Sequence, residues 1–193
     1  STFDILDYVE SLEYIPLEEN EKNLLNEIKK IIKLDDIYIV KCWRSSALFF
    51  FDSKGVFLKK VIATGEGPYE FSNLMDVAYD KNNQRLFLLD FYQKKVVIYD
   101  LAGDGKIEEG IKLDQHAYTL EHYKSKLYMV SQNSELKKIK IYSDSTFDLI
   151  GAGVSTRQEG FNKVKTQGNM KEFADTLFIN IGFTDTIYYS VGN

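Results

Sequence analysis

The sequence is short of the residues that cross-link, break or anchor other folds. Cysteine occurs once, at Cys42, which excludes an internal disulfide and leaves the redox compartment undecided. Proline occurs twice, at Pro16 and Pro68, and the length of 193 residues by itself favours one domain or two small ones. Histidine also occurs twice, at His116 and His122. On one extended strand these two rings would stand about 20 Å apart, too far to share an ion. Catalysis that needs a histidine or a histidine-bound metal therefore has little material, and surface or satisfied histidines are the expectation. No run of 18 apolar residues is present, which excludes a membrane-spanning helix. No charged-then-apolar leader stands at Ser1, so a signal peptide has been removed or was never there. Basic charge is short as well: 24 Lys and Arg against 29 Asp and Glu give a net charge of −5. That balance argues against a nucleic-acid partner, whose phosphates select a basic surface.

What is plentiful suits strands. Hydrophobic residues make up 44% and the aromatics include 13 Tyr and 13 Phe, composition that favours a pleated, buried surface. Short apolar runs closed by polar turns follow one another from residue 27 onward. They are 27–34, 37–43, 47–52, 56–63, 76–80, 85–91, 95–100, 106–113, 117–123, 126–132, 137–143, 147–153, 170–174, 176–183 and 185–190. Residues 154–169 read as loop. Residues 3–17 alternate loosely and end at Pro16, as an edge strand would. Residues 19–25 read as a short turn or helix, and Asp35-Asp36 as the turn of a two-residue hairpin.

The runs repeat. Second-strand cores begin at Ile37, Leu86, Leu127 and Leu177, separated by 49, 41 and 50 residues. Third strands close at Asp52, Asp100, Ser143 and Ser190, separated by 48, 43 and 47. Two independent markers return one period, the length of a four-stranded propeller blade. A β-sandwich with evenly spaced strands has no need of that long echo. The expected fold is all-β: a β-propeller, or incomplete propeller, of four-stranded antiparallel blades in one domain over 1–193. The repeats are expected at approximately 27–63, 74–113, 117–153 and 170–193, with 3–17 supplying the strand that the last repeat lacks. Such a strand would cover an otherwise open edge.

Individual motifs favour structure over chemistry. Gly65–Phe71 (GEGPYEF) has the outline of a phosphate loop, but Glu70 repels phosphate and Pro68 removes a donor. Its glycines are expected to supply unusual φ at a blade boundary, with Phe71 plugging the interface. The run from Asp100 to Ile111 resembles a calcium loop but lacks acids at Ala102 and Ile111, so a polar hairpin turn is expected. Cys42 reads as a small buried hydrophobe. Lys137, Lys138 and Lys140 alternate with core residues and make no basic patch. No catalytic residue, no metal ligand set and no cofactor are expected.

At Gly65, Gly67, Pro68, Glu70 and Phe71, then Leu89-Asp90, Tyr99-Asp100 and Gly103, the chain resembles the NHL-like six-bladed β-propeller proteins of gut anaerobes. The opening IPLEEN…IKKIIKLDDIYIV, Phe51-Asp52…Gly55 and DTIYYS fit the same resemblance, which covers most of about four repeats here. It implies an exported protein, periplasmic or on the outer surface, often lipid-anchored and of unassigned function. It transfers no catalytic residue.

In such blades the inter-blade turns and the second-to-third-strand loops share a rim. Trp43, Arg44, Phe91, Tyr92, Gln93 and Asn133 gather there as candidate binding residues, suited to a protein or glycan by stacking and hydrogen bonding. The expected function is a non-catalytic binding or scaffold module of the cell envelope. Self-association through an open sheet edge is a further expected partner mode. The alternative is an enzyme of the hydrolase or lyase propeller type, with carboxylates such as Asp90 and Asp100 around a central channel.

Overall fold

A computed structural model describes residues 9–62, 64–131, 138–154, 168–182 and 185–191. Fifteen strands and no helix are found among them. The first sheet holds β1 (Ile28–Lys33), β2 (Ile37–Cys42), β3 (Leu48–Asp52) and β4 (Phe57–Val61). The second holds β5 (Leu74–Asp80), β6 (Arg85–Asp90), β7 (Lys95–Asp100) and β8 (Ile107–Lys112). The third holds β9 (Ala117–Tyr123), β10 (Lys126–Ser131), β11 (Ile139–Ser143) and β12 (Leu149–Gly153). The fourth holds β13 (Gly168–Phe173), β14 (Thr176–Ile181) and β15 (Ile187–Val191). Every sheet is an antiparallel meander in chain order, and β1, β5, β9 and β13 line one central cavity. This is a four-blade propeller arrangement, and the expected fold class is the observed one.

Burial explains why the middle strands read as unbroken apolar runs. Leu86 and Leu88 of β6 pack towards the first sheet with Ile39, Phe50 and Val97. Phe87 and Leu89 of the same strand pack towards the third sheet with Leu120, Leu127 and Met129. A strand covered on both faces has no reason to alternate. β14 does alternate: Leu177, Ile179 and Ile181 are buried against the third sheet, whereas Phe178 is 40% exposed. The far face of the fourth sheet thus leaves Phe178, Ile187, Tyr189 and Val191 exposed.

The repeat marker at the end of the first three third strands has a local cause, whereas Ser190 Oγ of the fourth meets Tyr128 Oη of the third sheet at 2.9 Å. Asp52 Oδ1 accepts the Lys54 and Val56 amides, Asp100 Oδ1 the Ala102 amide, and Ser143 Oγ the Ser145 and Thr146 amides. Each side chain caps its own turn, which is why a short oxygen-bearing residue recurs there. The Asp35-Asp36 hairpin closes as expected, with the Leu34 amide donating to Ile37 O at 2.9 Å.

Of the two expectations for the start of the chain, one holds and one is corrected. Residues 19–25, read as a short turn or helix, contain a turn at 21–23. The described part of 3–17, from Val9, is not a strand; it leads to the first sheet, where the Glu18 amide donates to Gly55 O at 2.8 Å. Leu17 and Leu25 cover Val40, Cys42, Phe49 and Phe51 there. Apolar cover for the first sheet, rather than edge pairing, places this stretch.

The reason given for the GEGPYEF glycines is corrected too. Neither Gly65 nor Gly67 has a positive φ. Glu70 folds back so that its carboxylate accepts the Gly67 amide at 2.9 Å, and a Cβ on Gly65 would collide with that carboxylate. The Glu70 carboxylate thus fills the space that a side chain on Gly65 would take. Phe71 is fully buried between the first two sheets, as expected.

Candidate functional site

The central cavity is built by the first strand of each sheet. It encloses about 800 Å³, within the usual size of a ligand pocket. Its chemistry concentrates where β1, β5 and β9 meet. Lys29 Nζ donates to Met75 O at 2.7 Å and Tyr118 O at 3.1 Å, and lies 5.2 Å from the centroid of the Trp43 ring. Lys30 Nζ donates to Leu120 O at 3.1 Å and to Glu121 Oε2 at 2.9 Å. Between them sits Asp76, 2% exposed, whose Oδ2 accepts the Leu120 amide at 2.9 Å. Asp76 Oδ1 has no hydrogen-bond partner among the described residues. It lies 3.7 Å from Lys29 Nζ and 4.0 Å from Lys30 Nζ, which is ion pairing without a hydrogen bond.

Electrostatics separates the lysines. Burial pushes Lys29 down despite Asp76, and the neighbouring Lys30 adds to the effect. Burial also opposes the charge on Lys30, but Asp76 and Glu121 together outweigh it and raise that ammonium above its ordinary value. Behind them, burial and then the Lys29 charge hold Lys41 down to about 8. Lys41 Nζ donates to the carbonyls of Cys42 and Ser45.

The rim candidates separate into different roles. Trp43 is half-buried and lines the cavity. Arg44 is exposed in the β2–β3 turn with φ 64°. Phe91 stacks on His116 at 4.5 Å and meets Tyr118 at 4.9 Å, bridging the second and third sheets. Gln93 Nε2 donates to Gly65 O at 2.7 Å and ties down the GEGPYEF turn. Asn133 lies outside the described residues. Tyr92 stands clear, 69% exposed beside a groove of about 500 Å³ bounded by Glu66, Pro68, Lys95 and Lys112.

The carboxylates considered for catalysis do not reach the cavity. Asp90 is buried and accepts from the Ser72 and Asn73 amides, Ser72 Oγ, the Gln93 amide and Gln93 Nε2. Asp100 caps its own turn. Both are structural.

Opposite the rim, a polar network joins the second and third sheets. Arg85 Nε donates to Asp80 Oδ2 at 2.9 Å, and its terminal nitrogen donates to Asp144 O at 3.1 Å. His122 Nε2 lies 2.9 Å from Asp144 Oδ2 and 3.9 Å from Asp80 Oδ2. Ligand atoms of Asp80, His122 and Asp144 fall within 4.8 Å of one another, a grouping the spacing of the two histidines did not suggest. The Arg85 guanidinium already supplies a cation to both carboxylates. Burial pushes the Asp80 carboxyl up, but Asn83, Arg85 and His122 pull harder and leave it below its ordinary 3.8. A folded-state value below the unfolded one contributes stability above pH ~4 that is lost as pH falls through the folded value. Asp80→Asn should therefore melt below the parent at pH 7, and the gap should close as pH falls below ~4 and through the folded-state value. Thermal unfolding at stepped pH measures this; a gap independent of pH would show that the Asp80 charge contributes nothing.

Sequence reading missed Lys29, Lys30, Asp76 and Glu121. The signal was there: the first strands IKKIIK, LMDVAYD and AYTLEHY each carry charge in mid-strand, whereas the second strands RLFLLD and KLYMVS carry it only at their ends.

Four antiparallel sheets side by side around a cavity define a small β-propeller domain. Residues 1–193 match the family described as "Domain of unknown function (DUF4934)", and the chain belongs to that family. Among curated proteins there is no match. A candidate exported protein of Bacteroides fragilis has a similar structure, with TM-score 0.76 and 20% identity over 93% of this chain and 52% of its own. The chain thus spans about half the length of that neighbour. PorZ of Porphyromonas gingivalis, a surface component of the type-IX secretion system, is similar at TM-score 0.56 and 12% identity, over 86% of this chain and 20% of PorZ. The computationally designed Ika8 protein is similar at TM-score 0.56 and 10% identity, over 91% of this chain and 48% of its own. At these identities the likeness is one of fold. No helix among the described residues is long and apolar enough to cross a membrane.

Proposed function

We propose that this domain is a non-catalytic binding or scaffold module exported to the bacterial cell envelope, where it engages a protein or glycan through its loop rim. The observation that carries this reading is Tyr92. Its ring is held edge-on to Phe91 at 5.7 Å, yet it remains open to solvent beside a groove with carboxylates and ammonium groups on its walls. An ordered, exposed aromatic of this kind contributes contact area at small entropic cost. The carboxylates once assigned to chemistry are consumed by turns, which supports binding over turnover. Export is supported by the candidate exported neighbour in Bacteroides fragilis.

Retention of the purified domain on glycan and peptide arrays tests the reading. Tyr92→Ala should weaken retention about tenfold or more, the size of effect expected of an aromatic anchor. Retention that Tyr92→Ala leaves unchanged would remove the rim from the function.

A further inference from the structure

The rim leaves the central cavity unexplained, and the cavity holds an unusual group. Asp76 is a buried carboxylate with one oxygen satisfied by a backbone amide and the other without a hydrogen bond among the described residues. Leaving a buried acceptor in that state is unfavourable, so a donor is called for. Two donors stand beside it unused. An ammonium has three N–H groups. Lys29 spends two on Met75 O and Tyr118 O, Lys30 spends two on Leu120 O and Glu121, and they reach Asp76 Oδ1 only at 3.7 and 4.0 Å.

Charge then selects the ligand. A cationic ligand at Asp76 would meet two ammonium groups within 4.0 Å of the same oxygen. An anionic ligand at those ammoniums would meet the Asp76 and Glu121 carboxylates, the latter 2.9 Å from Lys30 Nζ. Like charges that close oppose either ligand. A neutral group that donates and accepts within one or two atoms fits both demands, and a pair of adjacent hydroxyls does so. Half-buried Trp43, also on the cavity wall, offers an aromatic surface to the C–H groups that carry such hydroxyls.

We propose that the central cavity is a second binding site, for a neutral saccharide unit. Asp76 Oδ1 lies covered, so Lys29 and Lys30 Nζ part to let one hydroxyl donate to it; neighbouring hydroxyls accept from the two ammonium groups, and the ring lies against Trp43. The site is separate from the Tyr92 groove and does not depend on it.

Calorimetry with a panel of neutral methyl pyranosides tests this, with sodium phosphate, sodium acetate and methylammonium chloride as charged probes. At least one methyl glycoside should bind, and none of the charged probes should bind more tightly. Asp76→Asn and Trp43→Ala should each weaken the bound glycoside about tenfold or more, and Tyr92→Ala should leave it unchanged. Lys29→Met serves where Asp76→Asn does not fold, with the same expected loss. Absence of glycoside binding, tighter binding of a charged probe, or a glycoside affinity indifferent to both Trp43→Ala and the carboxylate or lysine variant would overturn the proposal. Loss of binding in Tyr92→Ala would assign the saccharide to the rim instead.

Discussion

Asp90→Ala should lower the stability of the domain by about 4 kcal/mol, the scale of a broken buried network around a charge. Asp90 is fully buried at the end of β6, where five donors converge on its two oxygens. Three of those donors belong to Ser72 and Asn73, just before β5; the other two belong to Gln93, in the β6–β7 turn. One side chain thus fixes the entry to the second sheet and the turn at its rim. Alanine would leave the donors buried without an acceptor, which is worse than losing the bonds alone. Asp90→Asn should cost about half as much, since one oxygen can keep the four donors that share Oδ2 while the amide nitrogen faces the Gln93 N–H. Urea unfolding of the two variants measures both values. A loss below about 1 kcal/mol in Asp90→Ala would mean that water replaces the carboxylate and the network carries no structural weight.

The second large effect is expected next door. Phe71→Ala should cost about 4 kcal/mol, the range for removing a fully buried aromatic ring. Phe71 sits with Ile39, Leu48 and Phe50 of the first sheet and Leu74, Val77 and Leu88 of the second. It bridges to Thr64 across the GEGPYEF turn, so its ring closes the seam from the turn side. Phe71→Leu keeps most of the volume and should lose less than about 1.5 kcal/mol. Asp90 binds the residue that follows Phe71, so the two alanine changes should not add: the double variant should lose less than the sum. Strict additivity in a double-mutant cycle would show that the ring and the carboxylate hold separate parts of the boundary.

Much of the fold was legible because its causes are local. An Asp or Ser at the end of a third strand caps its own turn, so Asp52, Asp100 and Ser143 mark the period wherever the chain repeats. Apolar runs such as RLFLLD and KVVIYD register burial on both faces, which stacked blades impose. The GEGPYEF turn was placed correctly, but its glycines were given the wrong cause. A side chain folding back five residues on, as Glu70 does towards Gly65, is invisible to turn rules based on φ.

The candidate site was legible only in part. Trp43 and Tyr92 were picked out by residue type and loop position, and the structure sends one to the cavity and leaves the other on the surface. Phe91 and Gln93 looked equally free in sequence, yet His116 and Gly65 hold them. Those contacts join residues 25 and 28 positions apart.

The sequence by itself determined the strands, their turns and the four-fold repeat, because alternation, capping and blade length act over a few residues at a time. Only the tertiary structure decided which charges meet. Lys29, Asp76 and Glu121 lie on three different sheets, and His122 meets Asp80 of the second sheet and Asp144 of the turn after β11. Their pairing depends on how the blades are set around the cavity, a distance no local pattern encodes.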